Sequence, residues 1–307
     1  MVSFLLLICL LALSGLLFAE MTVLNVRSYT SQLDRPETFG FLKTTVDAGM
    51  GQLAQYTNVP ESALTSGYSE AELKAFASKS YETLVTYLKG ESNVLEISYP
   101  SEGIYASVSK TVQDYAANSG VAYDVALEDQ VQSITDMTVT AIDSYVMVMD
   151  PELLNQTGVL ARVRSVFERI PSVLQCLGLV FVILMLLLWL INKRHRMRTF
   201  WWSGSALAAC GMTLLIPGLI MKISGLAEQF GSRELYAFKF IQDLAEDFLT
   251  RWCLLGLVEL SLGALMLVTY ALWRRRQIVQ AQAERAHREK RRQAQAQALF
   301  NPTAKDV

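Results

Sequence analysis

Four apolar stretches, residues 2–19, 172–191, 201–221 and 252–273, interrupt this 307-residue chain. Each approaches the roughly 20 residues that a helix needs to cross the hydrocarbon core of a bilayer. A backbone in that core must satisfy its own polar groups, so these stretches are restricted to helices. The predicted fold class is an all-α membrane protein, with three or four transmembrane helices and an all-α extracytoplasmic domain.

Basic residues fall on alternate connections between the stretches. Lys193, Arg194, Arg196 and Arg198 lie between the second and third, and Arg274, Arg275 and Arg276 follow the fourth. The positive-inside bias puts both clusters in the cytoplasm. Residues 20–171 and the connection 222–251 are then expected outside, in a multi-pass protein of the cell membrane with a cytoplasmic C-terminus. The expected parts are an N-terminal segment 1–19, an outer domain 20–171, a three-helix membrane region 172–273 with a cytoplasmic loop 192–200, and a basic tail 274–307.

The first stretch has the length of a signal-peptide apolar region or of a short anchor. Only Ala19 supplies a small residue where a cleavage site would want two, so an uncleaved anchor is favoured. Cleavage would leave three spans with the outer domain on the same side.

The net charge of -2 conceals unequal parts. Residues 20–171 hold 20 Asp and Glu against 10 Lys and Arg, whereas residues 274–292 hold 8 Lys and Arg against Glu284 and Glu289. Juxtamembrane cations gain about 1 kcal/mol each from an anionic inner leaflet, so the basic clusters are expected to face lipid headgroups. Nucleic acid is not an expected partner, because Ala and Gln rather than stacking aromatics separate the tail's cations.

Cys9, Cys176, Cys210 and Cys253 all lie in the apolar stretches, and neither His195 nor His287 lies in the outer segment. A disulfide framework, a Cys/His zinc site, a Cys-His nucleophile and a Ser-His-Asp triad all need residues that this segment lacks. No metal, cofactor or catalytic residue is assigned.

Between Thr38 and Ile170 apolar residues recur at helical intervals. Ser69 and Glu72 form a capping box, followed by a stripe from Leu73 to Leu88 that Lys89-Gly90 ends. A second helix carries Ile104 to Tyr115 and stops near Gly120. A third carries Leu127 to Val148 and closes at Asp150-Pro151. A helix over Phe39, Leu42, Val46, Met50 and Leu53 contains Gly49 and Gly51, each lowering propensity by about 1 kcal/mol, and a bent middle is expected. The stripe Leu160, Val163, Phe167 and Ile170 feeds almost directly into the second span, which would couple the outer domain to the membrane. Ten tyrosines between Tyr29 and Tyr145 are expected mainly at the core and its edge, with a subset on a binding surface. Asn155-Gln156-Thr157 fits a glycosylation sequon.

Within the spans, Gly204, Ala208 and Gly211 put small residues on one face of the third, and Gly256 and Gly263 do so on the fourth, which allows close helix approach. Pro217 is expected to kink or end the third helix. Trp201, Trp202, Trp252 and Trp273 stand at span ends as interfacial anchors. Glu259 lies inside the fourth span, where a carboxylate is costly unless neutral or paired. Counting depth along antiparallel spans puts Thr213 level with it and Ser14 slightly shallower, which predicts a polar layer. Lys222 is a distant counter-ion. Glu259 is read mainly as a buried hydrogen-bonding residue, with a proton or cation site as the sharper alternative.

The segment Tyr81-Glu82-Thr83-Leu84-Val85-Thr86-Tyr87-Leu88-Lys89-Gly90, the later segment 104–115 and the four-span order together resemble an uncharacterised family of integral membrane proteins of Gram-positive bacteria. The resemblance implies architecture and envelope location. The histidine that this family carries after the Tyr-Leu helix is absent, as is its aromatic, His-containing loop before the last span, and no functional residue is carried over. The layout also looks like that of ABC permeases with one span before an outer domain and three after it, without their amphipathic helix ahead of the first span. The expected function is non-enzymatic: an outer domain that binds a protein partner or ligand, with the bundle as anchor and relay. A transport-associated subunit is the alternative.

Overall fold

The computed structural model describes residues 1–147, 157–193, 195–225 and 236–300, with side chains as far as residue 293. All regular structure among them is helical, and four helices are long and apolar enough to cross a membrane. The protein is an all-α membrane protein. Asp150-Pro151, Val148, Arg194 and the first two residues of the sequon lie outside the described residues.

The chain forms two compact units. The larger comprises Ser14–Cys176 and Ile216–Cys253, and the smaller comprises Met1–Leu13, Leu177–Leu215 and Leu254–Val307. Each of the four apolar helices contributes residues to both.

α1 (Val2–Phe18), which belongs to the larger unit from Ser14 onward, runs on into a π-helical turn, Ala19–Val23. The short α2 (Val26–Leu33) starts where the Asn25 side chain accepts a hydrogen bond from the Arg27 amide. Pro36 opens α3 (Pro36–Thr57), its fixed φ preset for a first helical turn; Asn58 closes it at φ 56°. After α4 (Glu61–Thr65), the capping box at Ser69 and Glu72 starts α5 (Glu70–Leu88). α6 (Glu102–Ser119) ends at Gly120, whose φ of 66° suits a residue without Cβ. Asp124 caps α7 (Val125–Val146) by accepting from the Leu127 amide.

Leu42, Val46 and Met50 of α3, Leu73 and Ala77 of α5, Ile104 and Val108 of α6, and Val131 and Ile142 of α7 are all fully buried in one core. Gly49 is there for space: a Cβ at that position would lie 2.1 Å from the Tyr145 ring of α7. Gly51 meets nothing closer than 3.5 Å, so the crowding belongs to Gly49 alone.

α8 (Val159–Phe167) is joined to α9 (Ile170–Ile191) by Glu168 and Arg169 alone. The Arg169 amide bonds back to Val166, and the Val173 amide bonds back to Arg169, so the expected direct feed into the second span is present. Arg164 clasps α8 to α5, with its guanidinium 4.6 Å from the Tyr87 ring centre and 2.6 Å from the Asn93 side-chain oxygen.

The core has a late contributor. The final helix, α11, is a single unbroken element from Tyr236 to Phe300, so the part of the expected outer connection from Tyr236 to Arg251 is helical. Tyr236 and Phe240 are buried in the same core as α3 and α5. Tyr81 is stacked between Tyr29 and Phe240, at 5.7 and 4.9 Å between ring centres with interplanar angles of 9°. Burying a side chain the size of Phe240 contributes about 1.5–3 kcal/mol.

In the smaller unit, α10 (Met197–Ile223) and α11 meet backbone to backbone. A Cβ on Gly211 would lie 2.4 Å from the Leu260 amide nitrogen, and one on Gly263 would lie 2.5 Å from that of Ala208. The small-residue faces read from the sequence are therefore the faces in contact. In lipid, such close packing is the main source of helix association, because the apolar solvent gives no hydrophobic drive. Pro217 does not end α10, which continues to Ile223. Its missing amide hydrogen removes one bond of the ladder, and the remaining turns hold.

Candidate functional site

The larger unit carries a groove of about 350 Å³ between α5 and an extended segment. The α5 wall is a single helical face: Glu72, Phe76, Lys79, Ser80 and Thr83 recur at three- and four-residue intervals. The opposite wall is residues 96–100, which precede α6. Along that segment Leu95, Ile97 and Tyr99 are wholly or half buried, while Glu96, Ser98 and Pro100 are exposed, the two-residue alternation of extended chain.

Two contacts position this segment. The Tyr99 amide donates to Asp143 Oδ1 of α7 at 2.8 Å, and the Tyr99 ring meets the Phe76 ring edge to face at 5.2 Å. Gly67 and Gly103 close one end. A Cβ on Gly103 would come within 2.6 Å of the Gly67 carbonyl oxygen, so only glycines let the α4–α5 connection touch the start of α6 here.

The groove is acidic. Glu72, Glu96 and Glu102 line it with Lys79 as the one cation among the lining residues. Glu72 is held below the usual carboxylate range by hydrogen bonds from the Ser69 hydroxyl and amide. Tyr99 is pushed up to about 12 by burial, with the Glu72 charge adding to it, so its phenol stays neutral. An apolar floor of Phe76 and Tyr99 under a rim of carboxylates suits a ligand with an apolar body and a cationic group.

A second polar cluster lies where α11 begins. The Asp243 side chain is 5% exposed and accepts from the Thr38 hydroxyl in the first turn of α3. Lys239 lies 2.8 Å from its other oxygen, and Arg35 lies 3.7 Å from that same oxygen. Farther along, Arg251 pairs with Asp247 at 2.8 Å and donates to the Ser28 hydroxyl at 3.0 Å.

Glu259 is buried, at 8% exposure, and has a partner within the structure. Thr213 does not face it. Thr213 is exposed, and its hydroxyl donates to the Ala209 carbonyl one turn back on its own helix. The glycine contacts set the register: Gly256 lies between Gly211 and Leu215, so Thr213 is opposite Gly256 and not Glu259. Its direction also differs, because Gly211 faces α11 and two residues farther the side chain has turned about 200°. Ser14 is buried and belongs to the larger unit. Lys222 is taken by Thr250, at 3.2 Å from its hydroxyl oxygen.

Lys193, Arg196, Arg198, Arg274, Arg275 and Arg276 are all exposed, and the Arg196 guanidinium lies over the Trp189 ring at 5.3 Å. Trp201 and Trp202 are both exposed, whereas Trp252 and Trp273 are half buried. Among the tyrosines, Tyr81, Tyr87 and Tyr99 are core residues and Tyr56 and Tyr115 are exposed. Sequence reasoning missed the extended wall 96–100 and the Asp243 cluster. The alternation Leu95, Ile97, Tyr99 was the available signal for the first, and the amphipathic start Tyr236, Phe240, Leu244 for the second.

No family model, curated protein or solved structure matches this chain.

Proposed function

We propose that this protein is a non-enzymatic membrane receptor-like module. Its helical larger unit lies outside the cell, binds a cationic ligand or a basic segment of a protein partner in the α5 groove, and relays occupancy through α11. The observation that carries this reading is the groove itself, with an apolar floor, three carboxylates and a wall of extended backbone. Clefts of a few hundred Å³ with few placed polar groups are the usual form of a ligand site. In this reading the loop 192–200 and the tail from Arg274 face the cytoplasm and its anionic lipid. The continuity of α11, from buried Tyr236 and Phe240 to the basic tail, supports it as the relay.

A photoreactive side chain placed at Ala75 in the groove tests the site in cells, with Thr140 on α7 as control. A crosslink from position 75 that disappears in Glu96→Lys/Glu102→Lys is expected. No crosslink, or an equal yield from position 140, would refute the groove as the binding site.

The second reading, a transport-associated subunit, is favoured by one observation, the burial of Glu259 within a span. Replacement by Gln keeps hydrogen bonding and removes titration. Unchanged folding and pH response in Glu259→Gln would rule out a proton role.

A further inference from the structure

Beyond Trp273 the last helix carries three arginines and then, unexpectedly for a solvated basic helix, the apolar pair Ile278 and Val279, 50% and 57% exposed. Those residues share a face with Tyr270, Ala271, Arg274 and Arg275, at three- and four-residue spacing. With Trp201 of α10, that face forms a groove of about 480 Å³. The Trp201 and Tyr270 ring centres are 5.5 Å apart, so the two helices build one aromatic wall.

We infer that this groove is a discrete site for one anionic glycerophospholipid. Arg274 and Arg275 take its phosphate, and Trp201, Tyr270 and Ala271 take the glycerol and upper acyl chain. Three independent features lead there. Two adjacent guanidinium groups are an excess of positive charge with planar donor forks matched to phosphate oxygens. The rest of the lining is apolar or aromatic, which a free inorganic anion would not use. Its place, where α11 leaves its apolar stretch, is the depth at which tryptophan and tyrosine meet headgroups. Ile278 and Val279 extend the apolar wall past the arginines and keep the bound headgroup from being fully hydrated.

This site rests on the reading that α11 leaves a membrane near Trp273, but it demands more than a basic tail attracted to a charged surface. Attraction by surface charge would be shared by Arg196 and Arg198 and would be indifferent to Trp201. The site requires Arg274, Arg275 and the aromatic wall in particular.

The test uses the full-length protein in detergent micelles, titrated with phosphatidylglycerol or phosphatidylcholine bearing brominated acyl chains. The Trp201 share of the fluorescence quenching is isolated by comparison with Trp201→Phe. Saturable quenching by the phosphatidylglycerol and not the phosphatidylcholine is expected. Arg274→Gln/Arg275→Gln should weaken it about 25-fold, taking the two cations at about fivefold each. Ile278→Asn, which leaves the charges in place, should weaken it as well. Arg196→Gln/Arg198→Gln should leave the midpoint unchanged.

Equal quenching by both lipids, an unaltered midpoint in Arg274→Gln/Arg275→Gln, or an equal shift in Arg196→Gln/Arg198→Gln would overturn the site. The last result would leave only bulk surface charge. Displacement by soluble glycerol phosphate at the same concentration as the lipid would overturn the role of the apolar wall.

Discussion

Adding a single methyl group to Gly211 tests the packing of α10 on α11 directly. A Cβ there would meet the Leu260 nitrogen at 2.4 Å, the Gly256 oxygen at 2.6 Å and the Leu260 Cα at 2.8 Å. All three are backbone atoms, so no side chain can turn aside. Restoring ordinary contact requires the helices to part by about 1 Å, and a gap of 0.5–1 Å forfeits a quarter to a half of each dispersion contact. Overpacking of this kind costs about 1–3 kcal/mol, against a gain of up to about 1 kcal/mol from the better helix propensity of alanine. With backbone on every side the upper end applies, and Gly211→Ala should lose about 2 kcal/mol net. Gly218→Ala should lose less, because its obstacles are the Cys253 and Trp252 side chains. Gly178→Ala, with nothing within 4 Å, should be neutral or gain up to about 1 kcal/mol. Unfolding of the full-length protein titrated with dodecyl sulfate in mixed micelles, followed by circular dichroism, ranks the three. If Gly211→Ala proves as stable as Gly178→Ala, the backbone-to-backbone packing is refuted.

Other expectations concern the larger unit. Asp243→Ala should cost about 3 kcal/mol, at the low end for a broken buried pair because Lys239 and Arg35 keep part of their hydration; Asp243→Asn, which preserves a partner for Thr38, should cost less in the same unfolding assay. Phe240→Ala should cost about 3–5 kcal/mol and shift the near-ultraviolet signal of the Tyr29–Tyr81 stack, and a smaller loss without that shift would contradict the stacking. Glu72 and Glu128 are both held below the ordinary glutamate value of 4.5, by Ser69 and by the Tyr105 and Tyr123 hydroxyls respectively. A depressed folded value means stability that is complete above about 4.5 and lost as pH falls through the folded values. Tyr105→Phe/Tyr123→Phe should therefore flatten the acid limb of stability against pH, and an unchanged limb would show that Glu128 does not contribute.

What the sequence made legible was local. The capping box at Ser69 and Glu72, the stop at Gly120 and the small-residue faces of α10 and α11 involve neighbours within a turn or a periodic stripe, and each is where its pattern placed it. Contacts across the chain were not legible. Thr38 meets Asp243 205 residues later, and nothing in either neighbourhood names the other. The groove wall 96–100 was hidden for a different reason: three alternating residues are too few to separate extended chain from the helical periodicity around them. Thr213 shows that both the register and the direction of a side chain between spans need the packing that only the folded helices supply: Gly256, not Glu259, is the residue opposite it.

The burial of Tyr236 and Phe240 sets an order of events in synthesis. Residues 20–171 leave the ribosome long before them, yet the core those residues form has gaps at Tyr81 and an unanswered Thr38 hydroxyl until the start of the last helix arrives. The early segment must therefore wait in a partly assembled state until translation passes Asp243. Completion of the larger unit's core thus coincides with synthesis of the last apolar helix, so a chain that stops short of Tyr236 loses packing in both units at once.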